Sequence, residues 1–339
     1  MEATGHYWRN LFAVLSAAGH QVVLLNPYVA RRFQDAGLER TKTDAIDALG
    51  LARLAFEKRP NPTHLLDEVA EALREFVRHR DRLRKDFDSR IRQLHRLVDL
   101  TFPEFTRYVS SLDTMLATCL LAECPTAQVF ARATPRRLAK LRYGPRHYVG
   151  LELAQQLVDA AKRSIGQHQG SVYELQARHI CQDLDTWRRR LEAIERDIEE
   201  LLDKHEVGKL LTTIDGIGPQ SAARLIATVG DPARFDSASA LAAYVGVVPS
   251  LRQSGKRTSG RTSTGRHGNS HLRSKLWMPI LVSVRRNLWL KAFYDRLRAA
   301  GKPPKVALIA AMRKMLHAIY SVAKSRKPFR ILTEQARPA

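Results

Sequence analysis

The sequence has few cysteines and few acidic residues for its length. Its 339 residues include 3 cysteines, and 34 Asp and Glu stand against 56 Lys and Arg. The cysteines, Cys119, Cys124 and Cys181, are odd in number, form no CxxC pair and have no His cluster nearby. This excludes a disulfide framework and a structural zinc site, and it favours a reducing, cytoplasmic location.

Long apolar runs are also missing. The first six residues lack the basic flank and apolar run of a signal peptide, and no stretch approaches the roughly 18 uninterrupted apolar residues of a membrane span. Attachment to a membrane surface is disfavoured as well, because the basic segment from Arg252 to Arg330 lacks the lipid anchor or long basic amphipathic helix that it would need. We therefore expect neither secretion nor a membrane partner.

The excess of basic residues is the strongest feature that is present. The formal net charge is +22 and the pI is near 10.4. From Arg252 to Arg330 there are 20 Lys or Arg and a single acid, Asp295. A chain of this kind neutralises phosphates, so the sequence predicts a nucleic-acid-binding surface in this C-terminal region.

The N-terminal segment has an α/β pattern. A helix is predicted from about Tyr7 to Ala18, then a buried strand from Gln21 to Leu25 that the turn Asn26-Pro27 closes, and a second helix from about Thr43. A single strand cannot form a stable sheet, because its edges need hydrogen-bonded neighbours, and nothing nearby supplies them. The N-terminal domain is therefore predicted to be incomplete.

Helical periodicity dominates the middle of the chain. It predicts one long helix from about His64 to Leu97 and a second with apolar residues at alternating steps of four and three over four heptads. The second pattern favours a coiled coil with self-association, but the same spacing also fits packing on the earlier helix within one chain. The stretch from Pro125 to Pro145 is interpreted as connecting structure. The heptad residues are Tyr173, Ala177, Ile180, Leu184, Trp187, Leu191, Ile194, Ile198 and Leu201.

Beyond Gly208 short helices alternate with Gly and Pro, which places a domain boundary near His205. Here Thr212 to Ala223 has the form of a helix-hairpin-helix, in which Gly216 and Gly218 would let backbone amides approach a phosphate. An ordinary helical turn is the alternative. A Gly-, Ser- and Thr-rich stretch follows from Ser254 to Gly268.

Two further patterns could carry chemistry. Asp44 and Asp47, three residues apart at the start of a helix, could share a magnesium ion, although acids in a first helical turn usually interact only with the helix dipole. Ser254 could attack phosphorus if nearby cations offset the growing charge, although most such serines only donate a hydrogen bond. The cations close to it in sequence are Arg252, Lys256, Arg257, Arg261 and Arg266.

Taken in order, a set of short motifs resembles the DEDD transposases of bacterial insertion sequences, of the IS110 type. Each motif alone is weakly specific, whereas the ordered set covers nearly the whole chain. The motifs are Glu2-Ala3-Thr4-Gly5-His6-Tyr7-Trp8, Asn26-Pro27, Lys42-Thr43-Asp44-Ala45-Ile46-Asp47-Ala48, Ile214-Asp215-Gly216-Ile217-Gly218-Pro219, Ala243-Tyr244-Val245-Gly246-Val247-Val248-Pro249 and Gln253-Ser254-Gly255-Lys256.

The resemblance implies a mostly helical α+β protein: a RuvC-like (RNase H-like) domain over residues 1–62, helical and coiled-coil structure over 63–204, and a C-terminal transposase domain over 205–339. It also implies a homo-oligomer, a dimer or tetramer, that cuts and rejoins DNA under the guidance of a structured RNA. Glu2, Asp44 and Asp47 would be the second, third and fourth acids that bind Mg²⁺. Ser254 would be the nucleophile, and Arg273 would contact nucleic acid.

The chain departs from the family at the first acid, which lies on a strand upstream of the Glu-Ala-Thr-Gly motif. That strand has no counterpart here, so the sequence suggests an N-terminal truncation, from a misplaced start or a decayed copy, and weak or absent cleavage. Two other functions stay open. One is a truncated copy that only binds nucleic acid, and the other is a RuvC-like junction-resolving nuclease.

Overall fold

The computed structural model describes residues 1–36, 43–61, 63, 65–250, 253–254, 257–258, 263–264 and 268–330, with the backbone alone for the short strands between 249 and 264. The chain divides into two compact units, Met1–Leu66 and Asp67–Ala339. Most of the described residues are helical, as predicted. The RuvC-like fold and the three predicted domain ranges stay predictions.

Three helices form the described part of the first unit: α1 (Trp8–Ala17), α2 (Pro27–Ala36) and α3 (Asp44–Lys58). The sequence predicts α1 and α3 but not α2, because Asn26-Pro27 was interpreted as a turn. The amide of Tyr28 donates to Asn26 Oδ1 at 2.9 Å, and proline fits the first position of a helix, where its missing N–H costs nothing. The same two residues therefore begin a helix.

The segment predicted as an isolated strand has neighbours on both edges. Leu25 N donates to Met1 O at 2.9 Å, and Ala3 N donates to Leu25 O at 3.0 Å, which makes a short parallel pairing. Thr63 covers the other edge, donating its amide to Val22 O at 3.1 Å. The expectation that nothing nearby satisfies these edges is wrong for this segment. Leu25 of this segment packs with Ala30 of α2 and Leu54 of α3 in a small core.

The second unit carries the remaining helices. In the described residues these are α4 (Glu68–Thr101), α5 (Phe105–Tyr108), α6 (Met115–Glu123), α7 (Ala127–Arg132), α8 (Pro135–Ala139), α9 (Leu151–Lys162), α10 (Ser171–Leu202), α11 (Glu206–Leu211), α12 (Pro219–Val229), the 3₁₀ helix Pro232–Arg234, α13 (Ala238–Val245), α14 (Ser270–Arg286), α15 (Leu288–Ala299) and α16 (Pro304–Ser325).

The two long predicted helices, α4 and α10, pack along each other within the chain. Most of the predicted heptad residues of α10 are buried, and burial of each large aliphatic side chain contributes about 1.5–3 kcal/mol. The partner of the heptad stripe is thus the earlier helix, the second of the two alternatives that the spacing allows. The helix α10 also packs on α6 and α12. Self-association stays a prediction. The buried residues of the stripe are Ala177, Ile180, Leu184, Leu191, Ile194 and Ile198.

The stretch interpreted as connecting structure, residues 125–145, contains α7 and α8. Phe130 of α7 is fully buried, and its ring centroid lies 5.3 Å from that of Phe102 and 5.9 Å from that of Phe105. Because an aromatic cluster of this kind buries a large apolar area, the stretch is part of the core rather than a linker.

The last helix, α16, lies at the centre of the C-terminal part and packs on α11, α13, α14 and α15. Among the described residues it is the one helix long and apolar enough to cross a membrane by length and composition, yet more than half of its apolar window is buried in the protein. The sequence predicts a buried apolar face of five residues on this helix. Met312, Leu316 and Ile319 are buried at 0% exposure and Ile309 is half-buried, but the prediction is wrong for Val306, which is 51% exposed at the start of the helix. The helix therefore behaves as a core helix here.

Four two-residue strands connect α13 to α14. They are β1 (Pro249–Ser250), β2 (Gln253–Ser254), β3 (Arg257–Thr258) and β4 (Ser263–Thr264). β1 pairs with β4 and β2 pairs with β3, both antiparallel. The two pairs are nested, and we call the four described strands together the serine hairpin (249–250, 253–254, 257–258 and 263–264).

Candidate functional site

Ser254 lies in the strand pair β2–β3, the pair of the serine hairpin that is farther from α13 and α14. The register of β2 with β3 places Ser254 opposite Arg257, and the register of β1 with β4 places Pro249 opposite Thr264 nearer the base. Two residues separate Ser254 from Arg257 in the sequence, which is the length of a tight hairpin connection. The predicted nucleophile therefore lies beside the end of a hairpin, with a cationic residue as its backbone partner.

The base of the serine hairpin is a contact between two glycines. Gly246 ends α13 with a φ of 83°, and Gly268 precedes α14 with a φ of +88°. A Cβ on Gly268 would lie 2.5 Å from Gly246 Cα, too close for any side chain. Asn269 N also donates to Tyr244 O at 2.7 Å. The chain thus enters and leaves the hairpin at one point, through a contact that requires glycine.

Arg273 supports the same base. Its Nη1 donates to Val245 O at 3.0 Å and to Gly246 O at 3.3 Å, which satisfies carbonyls at the end of α13. Arg273 is predicted to contact nucleic acid, and that role stays a prediction. Its visible role is to hold the returning helix α14 on the end of α13.

The other predicted phosphate contacts near Ser254 can be placed only in part. Arg257 lies in β3, where the backbone alone is described. The remaining four lie outside the described residues: Arg252, Lys256, Arg261 and Arg266.

The predicted helix-hairpin-helix segment forms a helix, a turn and a second helix, from α11 to α12. Gly216 in the turn has a φ of +95°, and a Cβ there would overlap the Ser283 hydroxyl of α14. Asn287, which caps α15, donates its side-chain amide to Asp215 O at 3.1 Å. This glycine is therefore needed for close packing between helices.

Gly218 differs from Gly216. It is exposed, has an ordinary φ of −78°, and a Cβ there would meet nothing within 4 Å. It precedes Pro219 at the start of α12, so the open end of that helix is the part of the turn that a phosphate could approach. Phosphate binding at either glycine stays a prediction.

The predicted acids belong to the first unit. Glu2 lies in the short pairing with Leu25, and its Oε1 accepts a hydrogen bond from Thr4 Oγ1 at 2.5 Å. The side chain is half-buried. An acid with this local partner is held beside the extended segment 22–25.

Asp44 and Asp47 lie in the first turn of α3, as predicted. Thr43 caps this helix by accepting the amide of Ile46 at 3.3 Å. Asp47 is half-buried and accepts a hydrogen bond from Gln34 Nε2 at 3.2 Å, whereas Asp44 is exposed. Spacing of three residues places both carboxylates on one face of the helix.

Carboxylate oxygens are the ligands that magnesium prefers. Within the described ranges, however, no three His, Cys, Asp or Glu side chains come close enough to hold a metal ion. The chemistry of Glu2, Asp44 and Asp47 suits the ion, but their arrangement here is not a complete site. We therefore derive no reaction step through a metal.

Two family profiles match separate parts of the chain. A transposase profile of the DEDD, IS110 type matches residues 1–103, and the profile of the transposase IS116/IS110/IS902 family matches residues 208–295. The first match includes the predicted acids and the second includes the serine hairpin. The chain belongs to the IS110 family of transposases.

Curated relatives agree with this placement. A protein of insertion element IS110 from Streptomyces coelicolor is 26% identical over 91% of this chain and 76% of its own length. A protein of insertion element IS116 from Streptomyces clavuligerus is 25% identical over 94% of this chain and 80% of its own. The pilin gene-inverting protein of Moraxella lacunata is 40% identical over a shorter region, 35% of this chain and 38% of its own length.

This IS110-family transposase contains an ionic cluster that the sequence does not predict. Arg224 of α12 donates to both oxygens of Asp81 on α4, each at 2.7 Å. Lys275 and His271, on the first turns of α14, lie 3.8 and 3.7 Å from the same carboxylate. Burial raises the pKa of Asp81, but the Arg224 hydrogen bonds and the surrounding positive charges outweigh it, so the net pKa lies below its usual value.

The cluster ties α4 and α12 to the helix that leaves the serine hairpin. Its members come from distant parts of the chain, as the separation of 143 residues between Asp81 and Arg224 shows. Each is an ordinary charged residue within a helical pattern. No local signal could have found them.

The three cysteines of the transposase are free thiols. Burial, the main cause in both, raises the pKa of Cys124 to about 11 and that of Cys181 to about 12. Burial also raises the pKa of Cys119. Since the thiolate is the nucleophile, burial disfavours reaction of Cys124 and Cys181 at neutral pH.

Proposed function

We propose that this transposase cuts and rejoins DNA by transesterification through Ser254. The observation that carries the proposal is the pairing of Ser254 with Arg257 in the serine hairpin. This hairpin lies in the region that the IS116/IS110/IS902 profile matches. The strongly basic composition from Arg252 to Arg330 supports DNA as the substrate.

In the proposed step, Ser254 Oγ attacks a backbone phosphorus. A new O–P bond forms, the bond from phosphorus to the leaving sugar oxygen breaks, and the serine proton passes to a base while the leaving oxygen gains a proton. Attack by a second strand's hydroxyl on the phosphoserine reverses this exchange and joins the new strand. Cationic side chains would offset the charge that grows on the phosphate.

We further propose that Glu2, Asp44 and Asp47 bind Mg²⁺. When bound, the ion would supply Lewis-acid stabilisation of phosphate oxygens. The hard oxygen donors and the placement of two acids on one helical turn support this assignment. Calorimetric titration with magnesium tests it: Asp47→Asn should weaken binding, whereas unchanged binding would remove Asp47 from the ligand set.

The proposed partners are DNA, a structured guide RNA and further copies of this chain, as a dimer or tetramer. The relative that inverts a pilin gene supports rearrangement between DNA sites rather than simple degradation. Mass photometry of the purified chain, with and without RNA from the element, would measure the oligomer and the guide. A monomer under every condition would refute the oligomer.

Covalent trapping with DNA that carries the element's end tests the serine. Because weak cleavage is expected of this chain, the adduct is compared between variants: Ser254→Ala should abolish the adduct that the wild-type chain forms, whereas Ser250→Ala, a serine of the same hairpin, should form as much as the wild type. Equal adduct from wild type and Ser254→Ala would refute the role of Ser254.

The same assay separates the two other functions. Cleavage without an adduct would identify a RuvC-like junction-resolving nuclease. Binding without cleavage or adduct would identify a chain that only binds nucleic acid, with affinity that falls by roughly 10³–10⁵ between about 50 and 200 mM salt if about 6–10 phosphates are contacted.

A further inference from the structure

A second strongly basic segment lies in the helical middle of the chain, far from Ser254 in the sequence. Between Glu123 and Glu152 the sequence contains no acidic residue. It contains six cations: Arg132, Arg136, Arg137, Lys140, Arg142 and Arg146. All six are exposed. We call the region that carries them the 132–148 surface.

The 132–148 surface has a defined local structure. The helix α8 is anchored by Leu138, which is fully buried, and the chain then folds back on itself. Arg142 and Tyr148 pair as an antiparallel bridge, and Tyr143 N donates to His147 O at 3.1 Å. The residues after α8 therefore form a short turn whose base is fixed by backbone hydrogen bonds.

Two of the six cations form an ion pair or hydrogen bonds within the described structure. Arg137 pairs with Glu123, and Arg142 donates to the carbonyls of Gly144 and Pro145, which shape the turn. In the part of the chain that the structure describes, the remaining four have no acidic partner: Arg132, Arg136, Lys140 and Arg146.

On the neighbouring helix α4 several cations are paired with acids in the described structure, whereas the exposed Arg92 and Arg96 are not. On α4, Arg80 pairs with Glu195, Arg84 with Asp88, and Arg90 with Asp183. The paired cations form a charge-balanced, solvated surface. Four exposed cations without acids instead create a positive potential that favours an anion.

Aromatic residues lie among these cations in the sequence. Tyr148 is 57% exposed, and the rings of Tyr143 and His147 lie on the turn with their centroids 5.7 Å apart. Cations alone fit any polyanion, but cations with accessible rings also offer stacking to unpaired bases. A duplex, whose bases are already stacked, would gain little from Tyr148.

We propose that the 132–148 surface binds an unpaired nucleic-acid strand, with its phosphates on Arg132, Arg136, Lys140 and Arg146 and a base stacked on Tyr148. The proposal rests on the nucleic-acid part of the proposed function and is independent of chemistry at Ser254. It gives the helical middle of the chain a binding role separate from that of the C-terminal region.

Fluorescence anisotropy with the full chain tests the charges, using oligouridine, oligothymidine and a DNA duplex of the same length. Arg136→Gln/Arg146→Gln should weaken binding of the unpaired strands, and the slope of log affinity against log salt should fall by about 0.7 for each phosphate that the variant no longer neutralises. Arg92→Gln/Arg96→Gln, which removes two exposed cations from α4, is the matched control and should change neither.

Tyr148 tests the stacking. Tyr148→Leu should weaken binding of an unpaired strand by roughly 5- to 150-fold and leave duplex binding unchanged, whereas Tyr148→Phe, which keeps the ring, should bind as the wild type does. If Tyr148→Leu loses more affinity for oligouridine than for oligothymidine, the bound strand is RNA. Equal losses of affinity would mean that the surface binds unpaired RNA and DNA alike.

Two results would overturn the proposal. One is an equal loss of affinity in the 136/146 variant and in the α4 control, which would mean that only total charge matters. The other is an equal loss for duplex and unpaired strands in Tyr148→Leu. Because these experiments measure binding and not cleavage, their result is independent of whether the chain forms a covalent adduct through Ser254.

Discussion

The two predicted catalytic regions are held in place in opposite ways. Asp44 and Asp47 lie on the first turn of a helix whose cap, Thr43, is the adjacent residue. Ser254 lies in a two-residue strand whose support comes from the ends of α13 and α14, where Gly246 meets Gly268. The acids therefore lie on a regular helix that has its own cap, whereas the serine lies in a short strand that depends on the contact between the ends of two helices.

The base of the serine hairpin should be the most sensitive point. Gly268→Ala would place a Cβ 2.5 Å from Gly246 Cα in a backbone conformation that L side chains avoid. We expect the variant to lose roughly 4 kcal/mol of unfolding free energy and to form no covalent adduct. Chemical denaturation and covalent trapping would measure both.

Gly301→Ala is the control for that experiment. Gly301 also has a positive φ, +77°, but a Cβ there would meet nothing within 4 Å. It should lose only the conformational cost, about 1–2 kcal/mol, and keep its adduct. Equal losses in the two alanine variants would show that the glycine contact adds nothing.

The packing of α14 on the 212–218 turn should be the next most sensitive. Gly216→Ala overlaps the Ser283 hydroxyl and should cost about 3 kcal/mol, because two packed helices must separate. Ser283→Gly should recover part of that loss in the double variant. Gly218→Ala, where the space is open, should cost under about 1 kcal/mol; a comparable loss there would refute the packing explanation.

The Asp81 cluster supports the helix that follows the hairpin. Asp81→Asn leaves Arg224 nearly buried without its carboxylate and should cost about 2–3 kcal/mol at pH 7. Asp88→Asn, an exposed ion pair on the same helix, should cost under about 1 kcal/mol. Denaturation of both variants measures the difference, and equal costs would contradict a supporting role for the cluster.

The same carboxylate should give a pH dependence. Because the folded-state pKa of Asp81 is lowered, its contribution is present above the unfolded pKa of about 3.8 and is lost as the pH falls through the lower folded value. Between pH 7 and acid pH, the wild type should therefore lose more stability than Asp81→Asn. Parallel curves for the two proteins would contradict this assignment.

The helix that carries the acids should show the smallest effect. Thr43→Ala removes the cap of α3 and should cost about 1 kcal/mol, while Thr43→Ser should restore it. If the acids act as proposed, the alanine variant should weaken magnesium binding only modestly. If Thr43→Ala lost as much unfolding free energy as Gly268→Ala, the two regions would not differ in how they are stabilised.

The parts of the fold that follow from local chemistry were predictable. The periodic apolar residues located α1, α4 and α10 from the sequence, because a buried face repeats at the helical period. Their partners were not predictable: the heptads of α10 fit a second copy as well as α4. The short pairing of Met1–Ala3 with Leu25 was missed because three residues show no period.

The candidate site divides in the same manner. Asp44, Asp47 and Ser254 could be proposed from the sequence because ordered motifs carry them. The supports of the serine could not, since Gly268 and Arg273 act through contacts with the end of α13. The sequence shows Arg136 and Arg137 of the 132–148 surface, but the prolines and Gly144 beside them favour connecting structure rather than a binding surface.

The glycine contact at the base of the serine hairpin has an evolutionary consequence. Since the chain leaves α13 and re-enters α14 at one point, a change of sequence or length in the insert beyond the buried Val247 need not move either helix. Substrate preference can thus diversify in this insert while the helical frame is conserved. A hairpin grafted from a relative between Gly246 and Gly268 would carry its own chemistry onto an unchanged scaffold.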